Sequence, residues 1–213
     1  TLRKFETGGE AASVVVRKSR GRELLGGTQL QSSRVVYEAD RQLFTAYGPG
    51  VIKVHNAQPA AKTDPNTFGL DRPCYAFVRD FDTLTFSSAT NRVVAEAGQG
   101  PVLIDYMPLN EDGRAGHVKA DAGRLELTLR RTADNQMEVV SLMASNGVTY
   151  EDEARQFAGS VLAYDYEQSQ VKVTGDEARP CYFNGALVDQ IEMDVKARSV
   201  KTQLQAPGIF QVQ

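Results

Sequence analysis

The sequence predicts an all-β protein built from duplicated units of antiparallel strands. Three observations lead to this fold class. Apolar residues alternate with polar ones in short runs, as at Leu125, Leu127 and Leu129, and this period of two is typical of strands with one buried face. Polar or glycine-containing turns separate the runs, and the 213 residues include 18 glycines, which favours short strands joined by turns. One tetrapeptide also occurs twice, which indicates an internal duplication.

The repeated tetrapeptide is Arg-Pro-Cys-Tyr, at residues 72–75 and 179–182, and its copies contain both cysteines of the chain. The offset of 107 residues also aligns apolar positions downstream: Leu84 with Ile191, Phe86 with Met193, Val93 with Val200 and Val102 with Ile209. Upstream, residues 37–48 resemble residues 164–175 at an offset of 127. The two offsets differ by 20 residues, so we infer an insertion in the first copy, around residues 55–71.

Residues 1–31 are predicted to form an N-terminal hairpin. The β-branched run 13–16 is its first strand, the polar segment 17–22 its turn, and Gly26 and Gly27 end its second strand. Four basic residues crowd the turn: Arg17, Lys18, Arg20 and Arg22. They are either a solvated hairpin tip or contacts for phosphate groups, which Arg and Lys bind well.

Three further segments follow the hairpin. The first β-unit covers residues 32–106 and contains the inserted loop 55–73, which is rich in Pro, Asn and Asp and long enough to suggest a function. A linking loop and a long hairpin occupy residues 107–156, and the second β-unit covers residues 157–213. The nearest candidate for a helix is the segment 149–158, which would form one or two turns.

Charge and motif content exclude several classes of function. A net charge of −3 gives no general attraction to nucleic acid, and no apolar run reaches the roughly 18 residues of a membrane span. His55 and His117 have no second His or Cys at ligand spacing, and the chain contains neither a nucleophile elbow nor a phosphate-binding loop. We therefore expect a non-enzymatic protein without catalytic residues, metal or cofactor.

The two cysteines, Cys74 and Cys181, are predicted to be reduced and buried at equivalent core positions. If the units stack in series, several strands separate the two residues, which places them on the order of 15–25 Å apart. A disulfide requires Cα atoms within about 7 Å. A bridge would form only if the two units faced each other across a closed sandwich.

The pattern of strands, turns and glycines resembles the OstA-like family, the periplasmic β-proteins of lipopolysaccharide transport. The residues that carry the resemblance are GSVLAYDYEQSQVKVTGDEA at 159–178 and DQIEMDVKARSVKTQLQAPGIF at 189–210, and residues 32–54 fit the same pattern. The resemblance implies an open, OstA-like rolled sheet, a β-taco or twisted jelly roll, whose inner face is apolar.

The same resemblance implies a periplasmic or envelope-associated protein. Its partners would be a lipid or a lipid-linked glycan similar to lipopolysaccharide, together with other envelope transport proteins. The chain begins at Thr1, with no initiator methionine and no signal-like segment. We therefore expect a mature or trimmed part of a longer protein, whose signal or anchor lies outside this sequence.

Six residues are candidates for the lining of an apolar groove in such a sheet: Tyr37, Phe86, Leu162, Tyr164, Ile191 and Met193. They are either ordinary core residues or the wall of a groove that an acyl chain fills, with each buried methylene contributing about 0.8 kcal/mol. Two other functions remain open. The protein is a structural module that associates through exposed β-edges, or a glycan-binding domain that uses the loop 55–73.

Overall fold

The computed structural model describes residues 4–57, 73–109, 116–131, 137–197 and 199–203. These residues form one antiparallel sheet of fifteen strands and contain no helix, which confirms the predicted all-β class. The strands are β1 (Lys4–Arg20), β2 (Glu23–Glu38), β3 (Leu43–Asn56), β4 (Cys74–Ser87), β5 (Arg92–Glu96), β6 (Val102–Pro108), β7 (Val118–Arg131), β8 (Met137–Glu151), β9 (Gln156–Gly159), β10 (Val161–Asp165), β11 (Gln170–Thr174), β12 (Cys181–Phe183), β13 (Ala186–Val188), β14 (Gln190–Asp194) and β15 (Ser199–Gln203). The helix candidate at 149–158 is instead the end of β8, a turn and most of β9.

Most strands pair with their neighbours in the sequence. The main order is β1-β2-β3-β4-β5-β7-β8-β10-β11-β14-β15. At two places, a pair of short strands occupies the position of one long strand. The strands β5 and β6 both lie between β4 and β7, and the strands β9 and β10 both pair with β8. The strands β12 and β13 extend the sheet beside β9.

Most of the register shifts fall at one level of the sheet, which we call the crease. They occur at Gly8/Ala12 in β1, Gln31/Arg34 in β2, Tyr47/Gly50 in β3 and Ala122/Arg124 in β7. The breaks between β5 and β6, between β9 and β10 and between β11 and β12 continue the same line. Because bulges bend a strand and increase its twist, irregularities aligned in this way fold the sheet.

The crease divides the sheet into two leaves. The first leaf contains residues 4–8, 34–38, 43–47, 83–87, 92–96, 124–131, 137–145, 161–165, 170–174, 190–194 and 199–203. The second leaf contains residues 12–20, 23–31, 51–56, 74–79, 102–108, 118–122, 148–151, 156–159, 181–183 and 186–188. Each long strand therefore belongs to both leaves, and the chain crosses the crease repeatedly.

Glycines allow the close approach of strands at the crease. β3 continues through the Gly48-Pro49-Gly50 segment, where the sequence suggests a break, and the Gly48–Pro49 peptide is cis. A Cβ atom added to Gly50 would lie 2.1 Å from the ring of Phe81, which is fully buried in β4. The absence of a side chain at Gly50 thus makes room for the aromatic ring at the fold of the sheet.

Two rows of cross-strand pairs cover the inner face of the first leaf. The crease row lies nearer the crease and consists of Thr7, Val35, Ala46, Leu84, Ala95, Leu125, Ala144, Leu162, Val173, Ile191 and Thr202. The lip row lies farther out and consists of Tyr37, Phe44, Phe86, Val93, Leu127, Leu142, Tyr164, Val171, Met193 and Val200. Every side chain in the lip row is apolar or aromatic. The alternate positions carry charges such as Glu126, Lys172 and Glu192, which form ion pairs on the outer face.

The two leaves pack together through their inner faces. The largest buried cluster combines Leu30 of the second leaf with Val35 and Leu84 of the first. A second cluster, at the C-terminal end, contains residues of both leaves, among them Phe157 and Ile191. The third cluster has Cys74, Ala76 and Tyr106 as its buried residues, all from the second leaf. Side chains therefore join the leaves along the crease and at the C-terminal end.

The repeated tetrapeptide opens β4 in the first copy and β12 in the second. In both, the cysteine is buried and the tyrosine after it is exposed. Cys74 and Cys181 form no disulfide and are 0% and 1% exposed, which confirms the prediction of reduced, buried thiols. The copies then diverge, because the second turns back at Asn184 and Gly185, where both φ angles are positive.

β2 passes through Gly26 and Gly27, so the predicted end of the strand at these residues is wrong. Both glycines pair with β3 on one side and with β1 on the other. A Cβ atom on Gly26 would lie 2.7 Å from the carbonyl oxygen of His55, so the glycine serves close strand approach. Residue 31, where the hairpin was expected to end, lies within β2. Of the inserted loop 55–73, residues 58–72 lie outside the described part of the chain.

Candidate functional site: an apolar inner face

The six candidate groove residues lie on one face of one leaf. Tyr37, Phe86, Tyr164 and Met193 belong to the lip row, and Leu162 and Ile191 belong to the adjacent crease row. Alternation along each strand and direct pairing between strands bring them together, although they come from five different strands.

The six residues differ in burial, so some of them belong to the core and others are partly exposed. Tyr164, Ile191 and Met193 are at most 7% exposed and belong to the C-terminal cluster, and Leu162 packs against this cluster and the largest one. Tyr37 and Phe86 are half-buried. Both rings pair with Phe44 in the lip row, and neither is among the buried core residues of the three clusters. Together with Leu162, these two rings are the partly exposed part of the predicted lining.

The C-terminal end of the folded sheet is filled by its own side chains. Val173 of the first leaf faces Gly159 of the second, where an added Cβ atom would lie 2.8 Å from the Val173 Cγ1 atom. The Cys181 thiol lies 3.9 Å from the Val173 carbonyl oxygen and donates a weak hydrogen bond to it. The rings of Tyr150 and Phe157 stack at 4.5 Å. Side chains thus occupy the space between the leaves at this end.

The inner face is open at the opposite end, at β1. Val14 pairs with Leu30 and Val16 pairs with Thr28, which places both valines on the inner face of the second leaf. Leu30 is 7% exposed, whereas Val14 and Val16 are 37% and 62% exposed. The apolar inner surface therefore reaches solvent at the β1 edge.

The predicted turn at 17–22 is shorter in the structure, because Arg17, Lys18 and Arg20 lie in the last part of β1 and only Arg22 lies in the turn between β1 and β2. Arg17, Lys18 and Arg22 are exposed, and Arg20 ends β1, although its side chain lies outside the described part of the structure. Ala57 donates a backbone hydrogen bond to the Leu25 carbonyl oxygen. Among the described residues, the turn of this hairpin extends beyond that contact.

A polar triad lies on the outer face of the second leaf. Asp105 forms an ion pair with Arg79, and its Oδ1 atom lies 3.1 Å from the Nε2 atom of His117. Burial raises the pKa of Asp105, but the hydrogen bonds from His117 and Arg79 outweigh this effect and hold the pKa below its usual value. The arrangement is a carboxylate that Arg79 and His117 hold on the outer face.

In the described part of the chain, depressions on the outer side of the sheet include two that none of the six groove residues lines. The larger has a volume of about 470 Å³ and lies at the crease, between Asp121, Asn146, Arg179 and Tyr182. Within the described ranges, no group of three His, Cys, Asp or Glu side chains could hold a metal ion. The same ranges hold no helix with the length and hydrophobicity of a transmembrane span.

The sequence analysis missed a second repeat. Asp-Glu-Ala-Arg occurs at residues 152–155 and again at 176–179, just before β9 and β12. In each copy the Asp Oδ1 atom accepts backbone hydrogen bonds from the residues two and three positions later, at 2.7–2.9 Å. The two strands that follow pair with each other, so the repeat sets the entry into two adjacent strands. A search for repeats of four residues would have found it.

No protein-family model matches the chain, and no curated protein matches it. The fold and the inner face define the protein as an all-β protein with one large antiparallel sheet, creased into two leaves.

Proposed function

We propose that the protein binds the acyl part of a lipid or lipid-linked glycan in an apolar groove between the two leaves. The observation that carries this proposal is the lip row, which crosses ten strands with apolar or aromatic side chains only. The row is core at its C-terminal end and only partly buried at Tyr37 and Phe86. An acyl chain that lies along this partly buried part would cover the two rings.

The separation of apolar and charged faces supports a lipid as the ligand. Glu126 pairs with Arg92 on the outer face, and Lys172 and Glu192 form another outer pair. An acyl chain on the inner face would meet no charge in the lip row. Burial of eight methylenes would contribute about 6 kcal/mol to binding. This contribution exceeds the lower estimates of the free-energy cost of association, so measurable affinity remains.

The rolled, OstA-like architecture and a place in the cell envelope belong to the same proposal. The crease, the two facing leaves and the apolar inner face are the features that the OstA-like resemblance implies. They support a β-taco that takes up a lipopolysaccharide-like ligand in the periplasm and passes it to other transport proteins. The role is binding and transfer, without a catalytic step.

A fluorescence titration with dansyl-undecanoic acid tests the groove. We expect saturable binding to the intact protein and a Kd raised about ten-fold by Phe86→Ser, which corresponds to about 1.4 kcal/mol. Tyr37→Ser should weaken binding in the same direction, because both rings lie in the partly buried part of the lip row.

The matched control is Met143→Ser, which removes an exposed apolar side chain from the opposite face of the same leaf. It should leave the Kd unchanged. An intact protein that shows no saturable binding would refute the groove, and so would equal losses in the Phe86 and Met143 variants.

A second candidate function is assembly through sheet edges. Among the described strands, the 17-residue strand β1 has a partner on one side only, and β15 ends the sheet on the other side. Such edges can pair with further copies. Light scattering across a concentration series would show growing oligomers if this is the function, whereas a strict monomer would count against it.

A further inference from the structure

We propose that the β1–β2 hairpin docks the protein on the surface of an anionic lipid bilayer. The docking hairpin comprises residues 13–24, that is, the last part of β1, the turn, and the first residues of β2. This proposal goes beyond lipid binding between the leaves, because it concerns a different surface and an intact membrane.

The apolar part of the docking hairpin is a run of three exposed valines. Val14, Val15 and Val16 are 37%, 52% and 62% exposed, and they account for three of the seven exposed large hydrophobic side chains in the described residues. Val15 points to the face opposite Val14 and Val16, because side chains alternate along a strand. Both faces of the strand end are therefore apolar, and such a surface gains from insertion into the interfacial region of a bilayer.

The basic part of the docking hairpin follows the valines directly. Arg17, Lys18 and Arg22 are exposed, and residues 13–24 include Arg20 as a fourth basic residue and Glu23 as the only acidic one. The segment therefore carries a net charge of +3 in a chain whose net charge is −3. Clusters of four or more basic residues beside apolar side chains are typical of contacts with anionic lipid.

The position of the hairpin permits this contact. Gly26 pairs with Asn56, the last residue of β3, so the turn extends past the end of that strand. Among the described strands β1 lies at the edge of the sheet, and its Val15 side chain is 52% exposed. The valines and the basic turn can therefore approach a flat surface together, with the headgroup phosphates next to the turn and the valines at the boundary of the acyl region.

The charges favour a bilayer over a second protein strand as the occupant. A strand that pairs with β1 would bond along its backbone and would gain nothing from a cluster of positive charge at one end. Positive charges on an edge strand oppose pairing with identical edges. Phosphate headgroups, in contrast, satisfy both the charge and the hydrogen-bonding capacity of Arg side chains.

Docking would also orient the inner face. Val14 and Val16 lie where the apolar inner surface reaches solvent, so contact with a bilayer at these residues would bring the open end of the groove to the lipid. This last step rests on the proposed function, whereas docking itself does not.

Co-sedimentation with vesicles tests the proposal. We expect the protein to bind vesicles of phosphatidylcholine mixed with phosphatidylglycerol, and to bind pure phosphatidylcholine vesicles much more weakly. Each basic residue near an anionic surface contributes about five-fold to partitioning, so the double variant Arg17→Gln, Arg22→Gln should lose about 25-fold. The single variant Val15→Ser should also weaken vesicle binding, but it should leave the salt dependence of binding unchanged because it removes no charge.

The charge-matched control is the double variant Lys196→Gln, Lys201→Gln, at exposed positions near the opposite edge of the sheet. It should bind vesicles as the unaltered protein does. Equal binding to neutral and anionic vesicles, or equal losses in the hairpin and control variants, would overturn the proposal. The double hairpin variant also distinguishes bilayer docking from acyl binding between the leaves. It should still bind dansyl-undecanoic acid when its binding to vesicles is lost.

Discussion

Two aspartates organise the C-terminal part of the chain in the same way. Asp152 and Asp176 each accept two backbone hydrogen bonds within the repeated Asp-Glu-Ala-Arg turn. Asp152 also accepts a hydrogen bond from the Tyr150 hydroxyl at 2.7 Å and pairs with Arg155 at 3.0 Å. Burial raises the pKa of Asp152, but the Tyr150 hydroxyl, the backbone amides and Arg155 outweigh it, and the pKa is lowered.

Replacement of Asp152 by Ala should lower the free energy of unfolding by about 1–2 kcal/mol at neutral pH, because the turn loses its hydrogen-bond acceptor. The folded-state pKa is below the unfolded value, so this contribution is present above the unfolded pKa and is lost as the pH falls through the folded pKa. Urea denaturation at neutral pH and below about pH 4 checks both parts. Glu153→Ala in the same turn is the control, and an equal effect of both variants would contradict the role of Asp152.

At the residue scale, the alternation of apolar and polar residues predicted which side chains share a face, but it did not predict how deeply each one is buried. The period-two pattern predicted that Tyr164, Ile191 and Met193 share a face, and the register confirms this. The pattern could not show that these three residues are core while Tyr37 and Phe86 are only partly buried. Burial depends on the opposite leaf, whose position follows from the crease rather than from any one strand.

Among the elements, the crease in β3 and β4 is the feature with the strictest steric demand. Gly50 faces the fully buried ring of Phe81, and no space remains for a methyl group between them. Gly50→Ala should therefore destabilise the fold by roughly 1–3 kcal/mol, the range for overpacked cores. Thermal or urea denaturation measures the change.

Gly116→Ala is the matched control for the crease. An added Cβ atom there would meet the Pro108 Cγ atom at 3.6 Å, an ordinary contact distance. This variant should unfold as the unaltered protein does. A Gly50 variant of unchanged stability would show that the ring of Phe81 can move aside, and that the crease tolerates a side chain.

The strands themselves were largely predictable, but their lengths were not. Gly26 and Gly27 suggested a strand end, yet β2 continues through them. In a single sequence, a glycine that ends a strand cannot be distinguished from a glycine that allows a neighbouring strand to approach closely. Only long-range contacts, such as that between Gly26 and the His55 carbonyl oxygen, distinguish the two.

For the whole molecule, the state of the two thiols reports on the packing of the leaves. Cys74 and Cys181 are buried and unbridged, and burial raises the pKa of the Cys181 thiol. We expect Ellman's reagent to react slowly with the native protein at about pH 8. In concentrated guanidinium without reductant, two thiols should react at once, and a count of zero would contradict the unbridged state.

The strand order has a consequence for folding. Because most strands pair with one that is close in sequence, most pairings close short loops and cost little chain entropy. The sheet can therefore grow by the addition of successive hairpins, at a speed that long-range β-topologies do not reach. The pairing of β7 with β8 spans the crease, and a nucleus formed there would already contain the bend that every later strand adopts.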